Sequence, residues 1–257
     1  MIPRVDIAGV RVSAANMDAA LLNIEQRVQR RQGGYVCVTG VHGIVESYRN
    51  EALRQIHNAA TLVVPDGMPL VWLCRARGIR HVDRVYGPDL MLRLCERSLE
   101  HDYRHFLYGA KPEVLEQLAA RLRARFPALN IVGLYSPPFR ELTAQEDATV
   151  SNAINRSRPD IVWVGISTPK QELWMARHHE LLRPAVLLGV GAAFDFHAGV
   201  KRQAPRWMMR AGLEWLFRML QEPRRLGPRY LRNNPIFAAL ILMQILGLRT
   251  QAIGGKY

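Results

Sequence analysis

Apolar positions along the chain fall into short unbroken runs separated by longer amphipathic stretches. The runs YVCVT (35–39), TLVVP (61–65), HFLYG (105–109), NIVGLY (130–135), DIVWVGI (160–166) and AVLLGV (185–190) are rich in β-branched residues and bounded by Gly, Pro or Ser. Such runs predict buried strands. Between them the spacing is helical. Over residues 112–126, Val114, Leu115, Leu118, Leu122 and Phe126 recur at helical intervals, Pro112 suits the first turn and Pro127 stops the helix. Strands alternating with helices predict an α/β fold, a Rossmann-like mostly parallel sheet with helices on both faces. Ahead of the first run, MIPRVDIAGVRVS alternates Val5, Ile7, Val10 and Val12 about Ala8-Gly9, which predicts a short hairpin and not a signal core.

The pattern changes after Gly199. Trp207, Met208, Leu213, Trp215, Leu216, Phe217 and Leu220 recur at roughly helical spacing, with Arg206, Arg210 and Arg218 among them. EPRRLGPRYLRNNP follows, and then the apolar run IFAALILMQILGL (236–248). Its 13 residues fall short of the ~20 that a bilayer span needs. A basic, aromatic-rich segment leading into a short apolar helix predicts a basic helical C-terminal appendage that associates with a membrane surface. A helix that closes the domain, or makes a dimer contact, is the competing expectation. The chain is thus expected to divide into a catalytic α/β domain (1–199) and the appendage (200–257).

Charge sharpens this division. The net charge is +13, of which the residues from 201 onward contribute eleven Lys/Arg against two Asp/Glu, a net of +9. Basic clusters attract phosphate, whether on nucleic acid, anionic lipid or a diphosphate substrate. Cys37, Cys74 and Cys95 form no close pair and no zinc spacing, which fits a reducing cytoplasm.

In open α/β sheets ligands bind beyond the carboxyl ends of the strands. That rule selects Thr39–Gly43, Asp66–Met68, Gly109–Lys111, Ser136–Arg140, Ser167–Gln171 and Gly191–Asp195. Asp66 is placed either to take a proton from an attacking hydroxyl or to cap the next helix. Gly109 and Ala110 form a small-residue turn at a helix start, where backbone N–H groups can meet a phosphate. Gln171 is a candidate for hydrogen bonds to a base or sugar hydroxyl. Gly191 lets a ligand approach the backbone, and Asp195 and His197 lie in the same segment. The histidines show no metal-binding spacing, and no Asp-x-Asp occurs. A leaving diphosphate would then need other positive charge, for which Arg84, Arg218, Arg224, Arg225 and Arg229 are suited.

The segments VPDGMPLVW, RVYGPDLM, FLYGAKPEV, YSPPFRELT, VGISTPKQELWMARH, GVGAAFDFHAGVKRQAPRWMMRAGLEWLFRMLQEPRRL and RYLRNNP together resemble the WecG/TagA/CpsF glycosyltransferases, over about residues 5 to 235. The resemblance implies inverting transfer from a UDP-sugar, such as UDP-N-acetylmannosamine, to a polyprenyl-diphosphate-linked sugar. It places this transfer in cell-surface polysaccharide or exopolysaccharide assembly, by a peripheral enzyme on the inner face of the cytoplasmic membrane. No metal and no cofactor is implied. By the same resemblance Asp66 matches the family's proposed base, Thr39 its first-strand threonine, Gln171 its P-x-Q-E glutamine, and Arg218 and Arg225 its diphosphate-binding arginines. A further family arginine falls on Pro228, next to Arg229. The asparagine that better-known members carry two residues after the threonine is Val41 here, which makes the adjacent His42 a candidate for acceptor contact. Two other functions are weighed against this one. A nicotinamide-dependent oxidoreductase lacks its G-x-G-x-x-G after the first strand. A nucleic-acid-binding protein would use the basic tail and bind with strong salt dependence. No nucleic-acid partner is expected, and oligomeric state is left open.

Overall fold

The computed structural model describes residues 2–248. The strands are β1 (Arg4–Ile7), β2 (Val10–Ser13), β3 (Gly34–Thr39), β4 (Leu62–Pro65), β5 (Arg104–Gly109), β6 (Asn130–Tyr135), β7 (Ile161–Gly165) and β8 (Val186–Gly189). The helices are α1 (Met17–Gln29), α2 (Val41–Arg49), α3 (Glu51–Ala59), α4 (Met68–Ala76), α5 (Gly87–Ser98), α6 (Pro112–Arg125), α7 (Ala144–Ser157), α8 (Lys170–His178), α9 (Ala193–His197), α10 (Arg206–Arg210), α11 (Glu214–Gln221) and α12 (Pro223–Ile245). Six strands form one sheet in the order β4-β3-β8-β7-β5-β6, flanked by helices. The β3–β8, β8–β7, β7–β5 and β5–β6 pairings are all parallel. Each of the six apolar runs is one of these strands, and the expected α/β class holds.

The hairpin forms as the alternation predicts. β1 and β2 pair antiparallel, with Val5 opposite Val12 and Ile7 opposite Val10 on the buried face. Ala8 (φ 50°) and Gly9 (φ 88°) make the two-residue turn, the positive-φ pair that matches strand twist. Local chemistry also sets the helix starts. Asn50 Oδ1 accepts from Leu53 N–H at 3.1 Å to cap α3, and Thr143 with Glu146 makes a reciprocal cap on α7.

The described chain packs as two compact units. The first takes in the residues up to Met17, Val38–Tyr86 and the described residues from Gln203 on; the second takes in Asp18–Cys37 and Gly87–Arg202. Within the first unit, the helical spacing over 204–221 resolves into two short helices, α10 and α11. Gly212 (φ 72°) breaks them, where a Cβ would meet Trp72 at 2.8 Å. The basic stretch and the apolar run, expected as a segment leading into a short helix, instead form the single 23-residue helix α12, with Pro228 and Pro235 inside it. Its apolar end is partly packed on its own unit: Phe237 and Leu240 are buried, and α12 lies against α2. Gln244 grips the hairpin turn, its Nε2 donating to Asp6 O at 2.9 Å and its Oε1 accepting from Ala8 N–H at 3.1 Å. Leu231, Leu242, Ile245 and Leu246 stay exposed. Residues 249–257 of the expected appendage lie outside the described residues. Among the described residues no helix is long and apolar enough to cross a membrane.

Candidate active site

In the first unit the end of β4 places Asp66. Its N–H continues the sheet ladder by donating to Thr39 O at 2.9 Å. The following helix, α4, is capped by Gly67, so Asp66 is not its N-cap residue. The carboxylate is about one-third exposed, at 32%. The segment after α4 returns alongside β4, with Val85 N–H donating to Pro65 O at 2.9 Å, and this delivers Arg84 beside Asp66. Arg84 Nε donates to the Asp66 backbone carbonyl, and Arg84 Nη2 forms a close ion pair with Glu214 Oε2. The same Nη2 stands 4.0 Å from Asp66 Oδ1, and the guanidinium lies 4.2 Å over the Tyr86 ring.

These contacts set the charge states. Burial lowers the Arg84 pKa, but the Asp66 and Glu214 carboxylates outweigh it and the net direction is upward. Arg218 follows the same pattern, with burial opposed by Tyr230, Glu214, Tyr86 and Asp66. Arg218 therefore belongs electrostatically to the Asp66 group. Burial and the two carboxylates push the Tyr86 hydroxyl far up, so it stays a neutral donor. Arg229 moves the other way, lowered by burial while Tyr230 raises it; its guanidinium is 5.3 Å from the Tyr230 ring. Arg225 is half exposed and paired with Glu222 one turn earlier.

Thr39 ends β3 with its Oγ1 buried and without a hydrogen-bond partner. His42, in the first turn of α2, accepts at Nδ1 from Asn233 Nδ2 at 2.8 Å. Arg49 Nη1 donates to Asn233 Oδ1 at 3.2 Å, which fixes the amide so that its NH2 faces His42. The imidazole is thereby held with Nδ1 as the acceptor.

In the second unit the strand-end turns are built by backbone. Gly109 has φ 134°, and a Cβ there would sit 2.6 Å from Gly165 O. Ala110 has φ 56° and donates its N–H to Gly165 O at 3.2 Å, while its carbonyl accepts from Ser136 Oγ at 2.7 Å. That N–H is thus committed within the fold, and the turn contributes shape. Gln171 is buried at the start of α8 and donates Nε2–H to Glu172 Oε1 at 3.0 Å. Gly191 (φ 52°) brings its loop to Gln171, where a Cβ would lie 3.6 Å from Oε1. Asp195 pairs with Lys201 at 2.7 Å, and His197 bonds Pro88 O at 2.9 Å, so both have partners inside the unit. Among the described residues no group of three His, Cys, Asp or Glu side chains could hold a metal ion.

Sequence reasoning missed Glu214, Tyr86, Tyr230, Asn233 and Glu172. Glu214 had one signal: it is one of only two acids among the tail's eleven cations. An isolated acid in a basic segment often neutralises a buried guanidinium.

A part-exposed carboxylate beside guanidinium groups at the strand ends of an α/β sheet is an arrangement suited to an anionic substrate. The profile of the glycosyl transferase WecG/TagA/CpsF family matches residues 5–251, and the chain belongs to that family. Three relatives carry the name N-acetylglucosaminyldiphosphoundecaprenol N-acetyl-beta-D-mannosaminyltransferase. The one from Bacillus subtilis is 32% identical over 168 residues, 65% of this chain and 64% of that protein. The one from Bacillus spizizenii is 28% identical over 77% of this chain and 75% of its own length. The one from Staphylococcus aureus is 28% identical over 91% of this chain and 90% of its own. The stretch aligned with the first thus spans just under two thirds of that relative.

Proposed function

We propose that the chain transfers a sugar from a UDP-linked donor to N-acetylglucosamine carried on a polyprenyl diphosphate, with N-acetylmannosamine as the donor sugar. The acceptor is the one in the relatives' names, and so is the transferred sugar. The acceptor hydroxyl attacks the anomeric carbon from the face opposite UDP, its proton passes to Asp66, and the C–O bond to the diphosphate breaks with its electrons leaving on UDP. The observation that carries this proposal is the Asp66 environment. Arg84 is tied closely to Glu214 and only loosely to Asp66, at 4.0 Å. The Asp66 carboxylate is 32% exposed where β4 ends, and Arg218 supplies positive charge to the same group. Arg218, with Arg225 and Arg229, offsets charge on the departing diphosphate, a role that needs no metal ion. We assign Gly109, Ala110, Gln171 and the Gly191–Asp195 loop to the donor, and Thr39 and His42 to the acceptor.

The membrane-facing part of the proposal rests on α12. Exposed Leu231, Leu242 and Ile245 accompany exposed Arg224, Arg225 and Arg232, the mixture that binds an anionic interface without spanning it. This suits a peripheral enzyme on the inner face of the cytoplasmic membrane that takes a lipid-linked acceptor. The decisive experiment incubates the full chain with UDP-N-acetylmannosamine and a polyprenyl-diphosphate-linked N-acetylglucosamine, and identifies the product by mass spectrometry. A disaccharide-lipid is expected. No product from this or any other UDP-sugar would overturn the proposal.

A further inference from the structure

The turn after β7 holds a buried pair whose hydrogen bonding is incomplete. Gln171 and Glu172 stand in the first turn of α8, 2% and 1% exposed. Glu172 Oε1 accepts twice, from Thr168 Oγ1 at 2.9 Å and from Gln171 Nε2 at 3.0 Å. Glu172 Oε2 is buried with no partner, and so is Gln171 Oε1. Folded proteins pair nearly all such atoms, and a carboxylate oxygen is among the costliest to leave short. The glutamine is also hemmed in. Its NH2 is held by Glu172, and a Cβ on Gly189 would lie 3.2 Å from its amide. On the other side a Cβ on Gly191 would lie 3.6 Å from Oε1. Two acceptor oxygens, on adjacent groups joined by a hydrogen bond, thus remain for donors that the described residues do not supply.

We infer that Gln171 and Glu172 together take the vicinal hydroxyls of a bound sugar ring, with Gln171 Oε1 and Glu172 Oε2 each accepting one O–H hydrogen bond. The chemistry selects this ligand class. The fully ionised linking diphosphate of a nucleotide sugar offers no donor, and its charge would meet the carboxylate. A uracil ring offers a single N–H. A vicinal diol offers two donors side by side, and a charged acceptor rewards them more than a neutral one. The inference rests on the UDP-sugar proposal above, which brings two such rings, the ribose and the donor hexose. Glu172 thereby becomes a specificity-determining residue beside the glutamine.

The test is calorimetric titration of the full chain, wild type and Glu172→Gln, with UDP, 2′,3′-dideoxy-UDP and UDP-N-acetylglucosamine. The variant is expected to lose about 10- to 100-fold in affinity for the ligand bearing the recognised ring, the range for a hydrogen bond to a charged group. If the ring is ribose, UDP itself weakens, and 2′,3′-dideoxy-UDP, which lacks both hydroxyls, binds both proteins alike. If it is the hexose, UDP binds both alike and only UDP-N-acetylglucosamine weakens. Unchanged affinity of the variant for both UDP and UDP-N-acetylglucosamine would overturn the inference alone. So would an equal loss for all three ligands, the mark of a merely structural carboxylate. Wild-type protein that binds none of them would remove the UDP-sugar proposal as well, so the two failures are distinguishable. Should Glu172→Gln fail to fold, Glu172→Asp keeps the charge with its oxygens drawn back, and the same ligand pattern with a smaller loss is expected; unchanged affinities there overturn the inference equally.

Discussion

The strand ends of the two units are furnished in different ways. Around Asp66 the first unit gathers charges from far apart in sequence: Arg84 from a returning loop, and Glu214 and Arg218 from α11. Around Gly109 and Gln171 the second unit uses backbone shape, with positive φ at Gly109, Ala110, Ser167 and Gly191, and short-range hydrogen bonds among Thr168, Gln171 and Glu172. A charged group tolerates an isosteric change in shape but not in charge. A group made by backbone shows the reverse. The difference predicts where each kind of substitution does damage.

The largest expected effect tests the charged group. Asp66→Asn keeps the shape and removes the proton acceptor, and turnover should fall by ~10²–10⁴-fold. Binding of UDP, read by calorimetry, should stay within about twofold. Full turnover in the variant would remove Asp66 as the base. The counterpart in the second unit is Gly109→Ala. An added Cβ would lie 2.6 Å from Gly165 O, at φ 134°, and backbone cannot yield as a flexible side chain can. A loss of about 3 kcal/mol in urea unfolding is expected. A variant as stable as the wild type would show that backbone shape is not what fixes this turn.

A smaller effect contrasts how the units handle buried titratable groups. Arg84 is buried with carboxylates beside it. His105, on β5, is fully buried with only Trp163 Nε1 donating to its Nδ1 at 2.9 Å. Burial alone pushes its pKa down to about 3. The folded chain therefore prefers neutral His105, and the unfolded chain binds the extra proton. Stability from this group is whole above the unfolded pKa of ~6.5 and is lost as pH falls toward 3. Between pH 7 and pH 5 the loss should be about 2 kcal/mol. His105→Gln, which keeps an acceptor for Trp163, should flatten that part of the stability profile; an unchanged profile would assign the acid sensitivity to other groups.

The contrast also explains what could be read from the sequence. β3, β4, β5, β7 and β8 were legible because they are largely buried and so appear as unbroken apolar runs, and the half-exposed edge strand β6 was legible from its apolar residues alone. The hairpin was legible from alternation, and its turn from Ala8-Gly9. Asp66, Gly109 and Gln171 were legible because position after a strand already selects them. Glu214 and Tyr86 were not, since their roles depend on a loop and a helix folding back to Asp66, which no local spacing records. The competing reading, a helix that closes the domain, describes Phe237, Leu240 and Gln244, which pack within the first unit, while Leu242 and Ile245 remain exposed. Periodicity marks an apolar residue without saying which partner covers it.

The smallest expected effect concerns the two tail arginines that resemblance treats alike and the structure separates. Arg218 interacts with Tyr230, Glu214, Tyr86 and Asp66. Arg225 is 52% exposed and pairs with Glu222 on its own helix turn. An exposed pair of this kind is worth ~0.2–1 kcal/mol, so Arg225→Ala should change urea unfolding by less than about 1 kcal/mol. Arg218→Ala removes a cation from among buried groups and should cost more in both stability and turnover. If Arg225 nonetheless reaches the diphosphate during transfer, its variant will lose turnover without losing stability, a split that an exposed helix pair alone would not produce. Equal loss of stability in the two variants would break the distinction, because it would mean that Arg225 is held by the fold as firmly as Arg218.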